Sequence, residues 1–281
     1  MFFKILKYDL KNTIIKKYKN YILTFFVFCW FLLDAYMRIL NSDISIKDVT
    51  ITEMVMFIFN GMKEYIPGGD ESFAFPMMWM VIFVLLLFFT LYYPYNDIMG
   101  YGKNVLIAST SRTVWWLSKC VTTICICIVY FFTAALSIFI FAFSFGLKFE
   151  LTVKPEVFSR LLILGGMPEG FNLSPEPLYM VLTVFVLPFI FAIAMCLLQM
   201  LLTLIIRPFA SIIVITAIFM VSSYYVSPFM IGNYAMTQRS ICFVSNGVDP
   251  VVGVIVMASI IVFSIVVSTV LFNRYEILEK E

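Results

Sequence analysis

The chain of 281 residues contains no histidine, and only 13% of its residues are charged. Soluble domains carry roughly 25% charged residues, so this composition argues against a soluble protein. The missing histidine removes the side chain that most often serves as a general base or a haem ligand. Of the six cysteines, only Cys242 lies clearly outside the apolar runs, so the sequence predicts no disulfide framework.

Motifs for metals and nucleotides are missing as well. Cys125 and Cys127 have no partners at the spacing of metal ligands. Gly102 and Lys103 lack the earlier glycine and the following hydroxyl residue that a phosphate-binding loop requires. The sequence also contains no Ser–Lys dyad and no pair of catalytic acids. It therefore predicts no metal or cofactor in this chain, no nucleic-acid partner and no enzymatic activity of its own.

Long apolar runs are what the sequence has in abundance. Hydrophobic residues make up 62% of the chain, and its mean hydropathy is +1.00. A helix needs about 20 consecutive apolar residues to cross the hydrocarbon core of a bilayer. The sequence therefore predicts an all-α polytopic membrane protein, with residues 1–281 forming a single transmembrane domain. The six predicted spans lie at about 21–40, 76–95, 117–145, 178–206, 209–228 and 251–272.

Charges are distributed unevenly among the connections between these spans. Residues 1–20 hold six lysines against one acid, and residues 96–119 also have an excess of basic residues. Residues 41–75, in contrast, carry six acids and two lysines. Because basic connections mark the cytoplasmic side, we expect both termini to be cytoplasmic.

Residues 1–20 are predicted to contain an amphipathic helix that lies on the membrane surface. Apolar residues recur at helical spacing, at Phe3, Leu6, Leu10 and Ile14. Three lysines lie beside this stripe, where anionic lipid headgroups would attract them. The alternative is a basic flank of the first span with no special role.

Residues 96–119 are too long for a simple turn between the second and third spans. Val105, Leu106 and Ile107 form a short apolar core, and Ser111 and Arg112 follow it. This pattern predicts a short cytoplasmic helix along the membrane, which could dock a soluble partner. The next two tryptophans are expected at the level of the headgroups. The alternative to the docking helix is an ordinary interfacial loop.

Polar residues within the apolar runs have two interpretations each. Asp34 and Arg38 are one helical turn apart, and an ion pair near the outer headgroups is the favoured interpretation. A hydrogen bond to a neighbouring helix is favoured over substrate contact for the glutamine of the fourth run. For the polar residues at the outer end of the fifth apolar run, packing at the membrane–water interface is the favoured interpretation. The candidates for a substrate path are nevertheless Gln199, Ser222, Ser223 and Tyr224.

These features together resemble the permease subunit of type-2 ATP-binding-cassette (ABC) exporters. That family has six spans, both termini inside, an amphipathic amino-terminal helix and a coupling helix between spans two and three. Residues 97–119 match its local pattern, with an acid, Gly100, Leu106-Ile107, Ser111-Arg112 and then Lys119. Tyr101-Gly102 departs from the Gly-Thr that members often carry. Residues 229–250 are apolar enough to resemble the family's membrane-dipping element between the last two spans.

The resemblance implies a membrane-spanning subunit of an exporter in a bacterial plasma membrane. Separate cytoplasmic ABC ATPase subunits would bind ATP and Mg²⁺, and a second copy or a related permease would complete the path. The residues implied in coupling are Gly100, Leu106, Ile107, Ser111 and Arg112. The alternative function is a non-transporting immunity or sensing component that binds an antimicrobial peptide. Peptides, lipids, drugs and polysaccharides all remain open as the substrate.

Overall fold

A computed structural model describes residues 1–65, 73, 75–100, 111–161, 172 and 175–274. Within these residues the protein is helical, and the only β-type pairings are two isolated bridges. The α-helices are α1 (Phe2–Leu10), α2 (Tyr18–Leu40), α3 (Ile51–Ile58), α4 (Met77–Leu91), α5 (Tyr93–Met99), α6 (Arg112–Phe145), α7 (Pro155–Leu161), α8 (Pro177–Val181), α9 (Leu187–Ile205), α10 (Pro208–Tyr224) and α11 (Pro250–Arg274).

In the described part of the chain, five helical stretches are long and apolar enough to cross a membrane. The prediction of an all-α membrane protein is therefore confirmed at that level. The remaining predicted span corresponds to α10, whose 17 residues fall short of the length of the other five. The five stretches are Tyr18–Leu40, Met77–Ile98, Arg112–Phe145, Pro177–Ile205 and Pro250–Arg274.

Prolines define several helix boundaries within this arrangement. Pro208 and Pro250 each occupy the first residue of a helix, where the missing N–H costs nothing. Pro94 is the second residue of α5, which Tyr92 separates from α4. Pro188 follows a π-helical turn at Leu182–Val186 that joins α8 to α9, because proline cannot donate the regular backbone hydrogen bond.

Helix α9 lies at the centre of the bundle and contacts α4, α6, α10 and α11. An aromatic cluster joins three of these helices, with Phe83 and Phe191 4.8 Å apart at their ring centroids and Phe219 beside them. Trp79 packs against the same rings and donates from Nε1 to the carbonyl oxygen of Ala235 at 3.0 Å. These edge-to-face contacts stabilise the bundle beyond the burial of apolar area alone.

The acidic connection between the first two predicted spans contains a buried helix. Thr50 and Glu53 form a capping box at the start of α3, which satisfies two backbone N–H groups. Glu53 is fully buried and also accepts a hydrogen bond from the backbone of Lys154 at 2.5 Å. Burial raises the pKa of the Glu53 carboxyl group, against the effect of these hydrogen bonds. One of the six acids of this connection is thus a buried structural cap.

Residues 229–250 fold as an irregular, largely buried segment between α10 and α11. Before α11 begins at Pro250, its only helical parts are two short 3₁₀ turns, Ile231–Ala235 and Thr237–Arg239. The segment packs against α9, α10 and α11. It occupies the position of the predicted membrane-dipping element, but it contains no α-helix.

The amino-terminal helix packs on α6 through a face next to the predicted apolar stripe. Its buried residues are Ile5 and Asp9, and Thr13 continues that face in the following π turn. Phe3 of the predicted stripe is 80% exposed. The buried face therefore carries a charge, and the reason lies in the partner of that charge on α6.

Candidate functional site

A buried ion cluster joins α1, α5 and α6, and we call it the Lys119 cluster. It consists of Lys119, Asp9, Asp97 and Ser118. The Lys119 Nζ atom lies 2.6 Å from Asp9 Oδ1 and also forms a close ion pair with the Asp97 carboxylate. The Ser118 hydroxyl donates to Asp9 Oδ2 at 2.8 Å. Lys119, Ser118 and Asp9 are all fully buried, and Asp97 is mostly buried.

Two aromatic rings complete the surroundings of the ammonium group. The Nζ atom lies 4.5 Å from the ring centroid of Trp115 and 5.2 Å from that of Tyr93. Both distances are within the range of a cation–π interaction, which is stronger where water is excluded. Lys119 is therefore held by two carboxylates and two rings at the same time.

The charges of the cluster do not cancel when all three groups are ionised, because two carboxylates face one ammonium. Burial raises the pKa of Asp9, while the Lys119 ammonium acts in the opposite direction. Removing one partner from a buried ion pair typically costs about 3–5 kcal/mol, because the other charge is left unpaired. The cluster is thus a strong tie between the three helices that contribute to it.

The residues of the Lys119 cluster lie on both sides of the predicted coupling helix in the chain. Asp97 lies near the end of α5, and Lys119 lies in the second turn of α6. These two helices flank the segment 101–110, which contains the core of the predicted coupling helix. The Lys119 cluster therefore fixes both flanks of that segment to each other and to the amino-terminal helix.

Three of the predicted coupling residues can be placed, while Leu106 and Ile107 lie outside the described residues. Gly100 follows the last residue of α5. Ser111 caps α6, and its hydroxyl accepts from the N–H of Val114 at 3.4 Å. Arg112 is the first residue of α6, so the third long helix begins five residues before the predicted start of that span.

The start of α6 is also tied to the end of α11. Arg112 donates from Nη1 to the carbonyl oxygen of Asn273 at 3.2 Å. Trp116 donates from Nε1 to the Ser268 hydroxyl at 2.8 Å, and its ring stacks on Phe272 at 4.6 Å. Both Trp116 and Trp115 are fully buried. The end of α11 therefore covers both rings, and their place at the level of the headgroups stays a prediction.

The candidates for a substrate path lie in two separate places. Gln199 on α9 faces Thr90 on α4, with 3.1 Å between its Oε1 atom and the hydroxyl oxygen. The Gln199 amide nitrogen has no hydrogen-bond partner among the described residues. Ser222 and Ser223 are fully buried at the end of α10, and Tyr224 is partly exposed and stacks on Phe73 at 4.4 Å.

Ser222 and Ser223 contribute to the binding of a buried arginine. Arg239 donates to the carbonyl oxygens of Ser222, Ser223 at 2.6 Å and Tyr225 at 3.3 Å. It also donates to Asn233 Oδ1 at 2.5 Å and to the carbonyl oxygens of Met62 at 2.9 Å and Lys63 at 3.2 Å. Burial lowers the pKa of Arg239 to about 10, so the group stays charged at pH 7.

This arginine caps the carboxyl end of α10. The last carbonyl groups of a helix have no partner within it and carry partial negative charge, so a cation there is favourable. All six acceptors around Arg239 are neutral oxygens. The carbonyl groups of Ser222 and Ser223 are thus occupied by a structural contact in the described structure.

Both charged sites were missed in the sequence, although a signal for one was present. Asp9 is the only acid among six lysines in residues 1–20, and Lys119 lies at the start of an apolar run. A charge placed against its surroundings is often paired. Arg239 gave no comparable signal, because the segment around it has no regular periodicity.

The comparison with protein families matches residues 50–278 to the family described as "Protein of unknown function (DUF2705)". The searches of curated proteins and of solved structures found no match. The family match covers the described structure from just before α3 to the end of α11. On this evidence the chain belongs to the DUF2705 family.

Proposed function

We propose that this chain is the membrane-spanning permease subunit of a bacterial ABC exporter. It would lie in the plasma membrane, with α10 as the fifth of six spans and both termini in the cytoplasm. ATP and Mg²⁺ would bind to separate ATPase subunits, which would dock at residues 98–112. A second copy or a related permease would complete the path, and the surrounding lipid would contact the exposed apolar faces.

The Lys119 cluster is the observation that supports this proposal best. An ATPase subunit must transmit its movement through the segment that it contacts. The two flanks of residues 101–110 are joined by buried charges and cannot separate without exposing or orphaning them. A push on this segment would therefore move α1, α5 and α6 together.

The amino-terminal helix fits the same role. Its lysines point away from α6, whereas Asp9 is buried against it. A basic helix on the inner leaflet would be attracted to anionic lipids. The cluster would then couple the docking segment to a helix anchored at the membrane surface.

Coupling can be tested by replacing both Leu106 and Ile107 with aspartate. We expect the double variant to lose the co-purifying ATPase, since two charges would replace the apolar contact surface. The matched control replaces Phe149 and Leu151, two exposed apolar residues beyond the other end of α6, with aspartate. Retention of the ATPase at the wild-type level by the Leu106 and Ile107 variant would contradict the proposed docking role.

Transport itself distinguishes the two functions considered. Purified complex in proteoliposomes should move a substrate in an ATP-dependent manner if the chain is a permease. A ligand that stimulates the ATPase without being transported would instead favour the immunity or sensing function. Loss of coupling in the double variant is expected under both, so the transport assay is the deciding measurement.

The proposed orientation predicts which positions an impermeant thiol reagent reaches in intact cells. In a variant without native cysteines, Asn104→Cys should be protected because basic residues mark the cytoplasmic side. Asp70→Cys, placed in the acidic connection, should react. Lysed cells serve as the control, since both positions should then be labelled. Labelling at position 104 from outside would overturn the orientation.

A further inference from the structure

A cavity of about 180 Å³ lies near the start of α4 and the end of α2. The Lys119 cluster lies beyond the end of α4 and near the start of α6, so the cavity belongs to the opposite end of the bundle. Among the described residues, its walls combine aromatic and aliphatic side chains with three polar ones. The residues that matter most are Arg38, Phe57, Asn60, Met77, Trp79 and Gln238.

Gln238 provides a polar group that the fold itself does not use. The residue is 5% exposed, and its backbone N–H donates to the carbonyl oxygen of Asn60. Its side-chain carboxamide has no hydrogen bond to any described residue. The Oδ1 atom of Asn60 is also buried without a partner. Because buried polar groups are normally hydrogen-bonded, the unpaired Gln238 carboxamide at this cavity points to a ligand.

The positive charge of Arg38, in contrast, is already paired within the protein. Its guanidinium forms an ion pair with Asp34 at 2.7 Å and donates to the carbonyl oxygen of Leu161 at 3.2 Å. It also stacks over the ring of Phe57 at 5.1 Å. No other charged residue lines the cavity within the described part of the chain. The site therefore favours an uncharged ligand over an anion such as a phospholipid headgroup.

We propose that this cavity binds one bulky apolar side chain of a peptide, held by the peptide's own backbone amides. An apolar cavity of about 150 Å³ can hold a benzene ring, so the volume suits one aromatic or large aliphatic side chain. A peptide offers an N–H donor and a C=O acceptor beside each side chain. The Gln238 carboxamide can pair with both groups, because it carries both a donor and an acceptor. This binding does not require transport, so it stands apart from the permease proposal.

Fluorine NMR of the intact protein in nanodiscs, labelled with 5-fluorotryptophan, tests the proposal. The chain has four tryptophans, and only Trp79 lines the cavity. We expect N-acetyl-phenylalanine amide to shift the Trp79 resonance and to leave the resonances of Trp30, Trp115 and Trp116 in place. Ethylbenzene keeps the aromatic ring but lacks both amides, and it should need about tenfold higher concentration for the same shift.

Gln238→Met separates recognition of the amides from filling of the cavity. Methionine has nearly the same size, and the glutamine side chain makes no hydrogen bond that folding would lose. The variant should bring the two compounds to the same midpoint, with the other three resonances reporting an unchanged fold. Equal midpoints in the wild-type protein, or no effect of Gln238→Met, would overturn the proposal. A Trp79 shift caused by phosphatidylglycerol, reversed by neither compound, would assign the cavity to lipid instead.

Discussion

Lys119→Met should lower the free energy of unfolding by about 3–5 kcal/mol, because it leaves Asp9 and Asp97 buried without a counter-charge. A fall in the thermal unfolding temperature of the purified protein would report this loss. The triple variant that also carries Asp9→Asn and Asp97→Asn should recover most of it, since no unpaired charge then remains. Replacing all three charged residues of a buried ion cluster is expected to cost less stability than replacing the lysine alone, because no unpaired charge is left behind.

A local measurement shows whether the loss occurs at α1. Ile5 lies one turn before Asp9 on the buried face of this helix. In a background without native cysteines, Ile5→Cys should react slowly with a thiol reagent, and Lys119→Met should accelerate the reaction. Lys148→Met is the matched control, because Lys148 forms an exposed ion pair with Asp48. Equal unfolding temperatures for the Lys119 and Lys148 variants would contradict the role of the cluster.

Arg239→Met should also destabilise the protein strongly, but by a different cause. The substitution leaves the carbonyl groups at the end of α10 buried without donors, and each such group costs about 1–3 kcal/mol. Arg239→Lys should recover only part of the stability, because an ammonium group has three donors and cannot reproduce the planar fork of the guanidinium. Thermal unfolding of the two variants should rank wild type first, lysine second and methionine last.

Hydrogen exchange locates the effect of this second substitution. The backbone N–H groups of Gly232, Thr237 and Val248 lie in the segment 229–250 that contains Arg239, and all three are hydrogen-bonded. Their exchange should accelerate in Arg239→Met, while exchange in α6 should change little. Arg207→Met is the control, because Arg207 is exposed at the other end of α10. Rapid exchange throughout the protein would mean that Arg239 holds the whole bundle rather than the end of α10.

The apolar runs predicted the long helices because the hydrophobic pattern alone determines them. The residues at which these helices begin and end are harder to predict from the sequence. The third predicted span begins earlier in the structure, at Arg112, because Ser111 caps the helix and the end of α11 covers its first turns. The fifth ends earlier, at Tyr224, because a residue far along the chain takes its last carbonyl groups. Local pattern cannot report a boundary that is set by a distant contact.

The same reason explains what could be predicted of the candidate sites. Residues 97–119 were identified because several features coincide within one segment. The pairing of Asp9 with Lys119 joins residues 110 positions apart, and nothing in either local sequence specifies the other. The cavity at Gln238 depends on five segments meeting, so it could be found only once their packing was known.

The capping of α10 by Arg239 has a consequence for biosynthesis. The carbonyl group of Ser222 is made 17 residues before the guanidinium that binds it. Carbonyl groups without partners are costly in the membrane, so α10, as the proposed fifth span, would be incompletely stabilised while that stretch is still being translated. At about 5–20 residues per second, this interval lasts on the order of one second or more. During this interval the proposed span would rely on neighbouring helices that precede it in the chain, above all α4 and α9, for a stable place in the bilayer.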